Sequence, residues 1–132
     1  MEKAKISAVL HTVSALYFLL LLVLGISIAG AKFVFPWEPW LLIPIGSAAM
    51  LLETYAAVAQ WRSSLARRSL SVVLHFLFAA AVFTMITVEY ARAQPPSVGD
   101  WFAANNYLFV SLLALARMFA GVSLMSDKIS HP

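Results

Sequence analysis

The chain has 132 residues, 62% of them hydrophobic and only 11% charged, with a mean hydropathy of +0.86. Soluble domains run nearer ~45–50% apolar and ~25% charged, so this composition excludes an ordinary soluble domain and predicts a chain that lives in the bilayer. The net charge of +3 suits a basic cytoplasmic face and gives no argument for nucleic acid; the absence of cysteine excludes disulfides, thiolate metal sites and iron–sulfur ligation.

Four apolar segments follow in chain order, at about 6–31, 40–61, 69–91 and 101–125. Each is near the ~20 residues that cross ~30 Å of hydrocarbon. Helices are expected because lipid offers the backbone no partners, and the alternation of a transmembrane barrel is absent. The first segment is too long for the ~7–15-residue apolar core of a cleaved leader, so none is expected. The breaks are short: KFVFPWEPW, RSSLARR and RAQPPSVGDW. Pro39 and Pro44 read as entry features at the outer start of the second helix. The expectation is one domain over residues 1–132, an all-α integral membrane protein with four transmembrane helices in an up-down bundle.

Lys3, Lys5, Arg62, Arg67, Arg68 and Lys128 lie at the termini and in the middle loop, whereas the other two loops carry only Lys32 and Arg92. Basic residues favour the cytoplasm, which places both termini there.

ISAVLH at 6–11 and LSVVLH at 70–75 set two of the three histidines after similar letters. At the same 64-residue step Ser7 meets Ser71, Trp37 meets Trp101, Ser47 meets Ser111, and Glu53 meets Arg117. Duplication of a two-helix hairpin explains this pattern, and chance matching in leucine-rich segments competes with it. A duplication would make the halves parallel repeats about an axis along the membrane normal. Counting at ~1.5 Å per residue from the cytoplasmic charges puts His11 about 9 Å deep, His75 about 10 Å, Glu53 about 14 Å and Arg117 about 16 Å.

The four residues also share a facial logic. Ser7, His11, Ser14 and Phe18 lie on one helix face, as do Ser71, His75, Phe78 and Val82. Gly46, Met50, Glu53, Ala57 and Gln60 form a third such face. Asn106, Val110, Leu113, Arg117, Ala120 and Leu124 form the fourth. Small and polar residues favour helix contacts in membranes, so these faces are the expected interior.

An intramembrane Glu or Arg costs ~2.5–3.5 kcal/mol on insertion scales and is therefore paired or functional. Glu53 and Arg117 can form a structural ion pair; alternatively Glu53 carries a proton and Arg117 meets a haem propionate or a lipid headgroup. His11 and His75, at one depth on alternate helices, are candidates for the two axial ligands of a haem b iron, with Arg117 near a propionate. Chlorophyll-type ligation and plain hydrogen-bonded packing are the competing readings. A non-haem site of His11, His75 and Glu53 fits iron or zinc chemistry, but Arg117 at that level opposes a dication. Glu89 reads as solvated or paired with Arg92, the four tryptophans as interface anchors, His131 as a tail residue, Gly25 and Gly30 as packing glycines, and the scattered methionines as packing. No phosphate loop, Walker, zinc-protease or Ser/His/Asp motif is present.

Two resemblances bear on function. LHTVSALYFLLLLVLG, Leu10 to Gly25, resembles the first helix of membrane cytochrome b subunits of dehydrogenases and hydrogenases. It departs from them in having Thr12 where they carry tryptophan, and in lacking their larger set of haem histidines. GISIAGAKF, Gly25 to Phe33, with Glu53 in the next helix, is similar to DoxX-like four-helix proteins. Both resemblances imply a membrane redox complex. The leading expectation is a small subunit of a respiratory-type complex that binds haem b and exchanges electrons with quinone. The main rival is a non-catalytic accessory subunit stabilising larger membrane-protein partners. A small transporter or channel is the third.

Overall fold

The computed structural model describes residues 2–28, 38–62, 67–92 and 101–130, and among them the chain is entirely helical apart from short turns. The helices are α1 (Glu2–Ile28), α2 (Glu38–Trp61), α3 (Arg68–Arg92) and α4 (Trp101–Ser130). Two of them are long and apolar enough to cross a membrane, through Lys3–Val23 and Leu108–Ser126.

The helices outrun the apolar segments at both chain ends. The first was expected over 6–31 but begins at Glu2, because Glu-Lys-Ala-Lys are good helix formers that hydropathy discounts; residues 29–31 lie outside the described chain. The fourth was expected to end at 125 but continues to Ser130, since no glycine or proline intervenes before Pro132. The middle two agree with 40–61 and 69–91 to within two residues.

Pro39 is the second residue of α2, where a missing N–H is no loss. Pro44 is not an entry residue. It lies inside α2, where its ring nitrogen cannot donate to the Trp40 carbonyl. Its exposed position keeps that defect away from the packed face.

The chain divides into two compact units, Met1–Arg67 and Arg68–Pro132. In the first, α1 packs on α2; in the second, α3 packs on α4. His11, near the start of α1, meets Glu53, near the end of α2, so the first pair is antiparallel, and the His75–Arg117 contact makes the second antiparallel too. Each unit is a helical hairpin.

The buried positions repeat between hairpins at the 64-residue step. Ser7 and Ser71 are buried, as are His11 and His75, Ser14 and Phe78, Ala15 and Ala79, Glu53 and Arg117, Ala56 and Ala120, Gln60 and Leu124. Small residues let the helices approach. A Cβ at Gly46 of α2 would sit 3.0 Å from a Leu22 methyl of α1, and one at Gly121 of α4 would sit 3.1 Å from the Phe76 ring of α3. Side chains sort in the reverse of a soluble protein: serine, histidine, glutamate, glutamine and arginine are inside, while Leu16, Leu20, Ile45, Leu51, Leu77, Leu112 and Phe119 point outward with many others.

Candidate functional site: two buried imidazole pairs

The 3.6-residue repeat puts Ser7, His11 and Ser14 on one stripe of α1, and all three are fully buried. Ser14 returns its hydroxyl to the Leu10 carbonyl at 2.9 Å. From α2, Glu53 reaches His11, and its Oε2 lies 2.5 Å from His11 Nδ1. An ionised carboxyl only accepts, so with Glu53 ionised the His11 proton sits on Nδ1. Glu53 is 3% exposed, so the bond lies in a low-dielectric interior, where it is stronger than its solvent counterpart.

Hairpin two repeats the geometry with opposite charge. Arg117 on α4 donates its Nε–H to His75 Nδ1 at 2.9 Å, and its guanidinium carbon stands 4.5 Å from the Phe78 ring centre. Phe78 is one turn beyond His75 on the same α3 stripe, so a single face supplies both the acceptor and the aromatic wall. Arginine is always protonated, so the nitrogen receiving its hydrogen must be bare. The neutral His75 ring therefore carries its proton on Nε2. Both pairs join residues 42 apart in sequence.

The structure thus joins His11 to Glu53 and His75 to Arg117, each within one hairpin. Depth counting alone joins residues across hairpins, Glu53 with Arg117 and His11 with His75. The equal 42-residue separation was the available signal for the pairing within hairpins. Sequence reasoning passes over Gly121, and it puts Gln60 on the interior face of α2 without reading its unmet oxygen. A Cβ at Gly121 of α4 would lie 3.1 Å from the Phe76 ring of α3, and Gln60 is 2% exposed with an Oε1 that has no hydrogen-bond partner among the described residues. Asn106, Glu89, Arg92, Trp40 and Trp101 belong to helices, but their side chains lie outside the described set, as do Trp37, Gly30 and His131 entirely. Trp61 is exposed at the end of α2.

Haem ligation through Nε2 asks each imidazole for a bare Nε2, with Nδ1–H donated to an acceptor. His11, donating to Glu53, has that arrangement. His75 does not fit: its Nδ1 is the acceptor and its proton is on Nε2. Among the described residues no group of three His, Cys, Asp or Glu is placed to hold a metal ion.

The chain matches no family model, no curated protein and no solved structure.

Proposed function

We propose that the protein is a small multi-pass membrane protein in which all four helices span the bilayer, both termini are cytoplasmic, and the role is that of an accessory subunit for larger membrane partners. The membrane reading is supported by the inverted burial: polar side chains are sealed inside, and large apolar ones cover the outside along each helix. Contiguous exposed apolar surface of this extent marks a membrane or a partner. The helices contain 27, 24, 25 and 30 residues, which at ~1.5 Å per residue exceed ~30 Å of hydrocarbon. Thr12, Thr54 and Thr87, exposed on the helix surfaces, return their hydroxyls to carbonyls four residues back, as lipid-facing threonines must.

The accessory reading is carried by one observation: among the described residues, each hairpin joins its buried histidine to a buried charged residue on its own partner helix. Such bonds lock a hairpin into one register and leave its outer face for neighbours. The His75 tautomer weighs against the haem reading, and with it the direct electron-transfer role. Helices that remain unbroken over their described residues, α2 through Pro44 included, weigh against the half-helix substrate sites of transporters.

The test is purification of the tagged chain from its native membranes in mild detergent. The proposal expects it in an assembly with larger membrane proteins, disrupted by His75→Leu. The fraction should show no reduced-minus-oxidised haem signal that disappears in His11→Ala or His75→Ala. A chain recovered alone with b-type α and β bands lost in both variants would overturn it.

A further inference from the structure

We propose that the basic end of the first hairpin is a binding groove for an anionic phospholipid, with the phosphate at Arg62 and Arg67 and an acyl chain along α1 and α2. This rests on the membrane reading above and adds a ligand to it.

Two adjoining grooves meet at Val58 and Arg62. The larger, about 310 Å³, is lined by Ala8, Thr12, Ala57, Val58, Trp61 and Arg62. The smaller, about 210 Å³, adds Tyr55, Ala59 and Arg67. Together they reach the size of ordinary small-ligand sites. Ala8 and Ala57 open the larger groove, and Thr12 keeps its hydroxyl on the Ala8 carbonyl, which leaves an apolar trough. The trough ends at cations. The Arg67 guanidinium stands 5.5 Å from the Tyr55 ring centre and the Lys5 ammonium 5.7 Å from that of Trp61, so aromatic rings hold two positive groups beside Arg62. Among the acids of this hairpin whose side chains are described, Glu53 is buried and turned to His11; Glu2 stands three residues before Lys5 on α1. An apolar trough capped by three cations complements an amphiphile with a negative head, and arginine matches phosphate oxygens in its fork geometry.

Hairpin two provides an internal comparison. At the 64-residue step Lys5 becomes Ser69, Trp61 becomes Met125 and Arg62 becomes Ser126. These three positions of the cluster are therefore not carried over by the repeat; the counterpart of Arg67 is His131, outside the described residues.

The experiment is native mass spectrometry of the full chain in detergent with equal phosphatidylglycerol and phosphatidylcholine of the same acyl chains. The wild type should retain phosphatidylglycerol preferentially. Each basic residue near a membrane surface is worth roughly fivefold toward anionic lipid, so Arg62→Gln/Arg67→Gln should lose roughly twenty-five-fold of the preference. Val58→Trp fills the meeting point of the grooves without changing charge and should also reduce retention. Equal retention of both lipids by the wild type, or full preference in Val58→Trp, would overturn the groove. Displacement by excess inorganic phosphate would assign a free-anion site and overturn the lipid assignment. Incorporation into lipid nanodiscs, measured on the same preparations, reports the membrane reading separately: a chain that inserts but shows no lipid preference sinks only the groove.

Discussion

His75→Leu is the most informative single change. It removes the acceptor from Arg117 while the guanidinium stays buried at 0% exposure. Leaving the buried guanidinium without its neutral acceptor costs about 1–3 kcal/mol, and more because the stranded donor is charged. Arg117→Leu should cost less. It strands a neutral ring nitrogen, about 1–3 kcal/mol, and forfeits the Phe78 contact, up to about 2 kcal/mol when desolvated. It also relieves the desolvation of a buried charge, which offsets much of that loss. The double variant His75→Leu/Arg117→Leu strands neither group, and it should be more stable than His75→Leu alone. Reversible unfolding in mixed micelles, followed by helical circular dichroism, gives all three stabilities. Two single effects that add in the double variant to within about 0.5 kcal/mol would mean the residues are uncoupled and would refute the pairing.

The first hairpin should respond by acceptor chemistry. Glu53→Gln keeps an oxygen to accept the His11 Nδ1–H and should cost under about 1 kcal/mol, whereas Glu53→Leu strands that donor and should cost about 1–3 kcal/mol, both read in the same unfolding assay. Gln60→Leu removes a buried acceptor with no described partner and installs the residue that stands at Leu124, so stability should rise by about 1–2 kcal/mol. Gly121→Leu drives a side chain into the Phe76 ring, 3.1 Å from where its Cβ would stand, and overpacking of this kind costs about 1–3 kcal/mol. Because the chain has no cysteine, single cysteines at positions 5, 35, 62 and 97 report topology without background. Impermeant maleimide should reach 35 and 97 from one side of sealed vesicles, and 5 and 62 only from the other.

Much of this was legible in the sequence because apolar length and helical spacing are strong local signals. Apolar length located the four helices, and polar residues at helical spacing located the buried stripes: Ser71, His75, Phe78 and Val82 are all inside, as are Val110, Leu113, Arg117, Ala120 and Leu124. Helix ends were less legible, since Glu2 to Lys5 and Asp127 to Ser130 form helix for reasons of propensity that hydropathy does not register. The partner of each charge was the least legible. Depth along a helix is one coordinate, and His11, Glu53, His75 and Arg117 share it closely enough to permit several pairings. Choosing among them needs the rotation of each helix against its neighbour, which Gly46 and Gly121 help to set through close approach. The haem expectation grew from residue type, depth and a resemblance that covers one helix. Which nitrogen carries the proton depends on the bond the other nitrogen makes, and that is a tertiary property.

The most direct test of the account is nitrogen NMR of the chain labelled with ¹⁵N-histidine in nanodiscs, with His75→Leu used for assignment. The account predicts that His75 is neutral with its proton on Nε2, held there by Arg117, and that Arg117→Leu frees the ring to exchange tautomers. A His75 ring found with its proton on Nδ1 and Nε2 bare, the form an axial ligand takes, would contradict it and return the two histidines to iron.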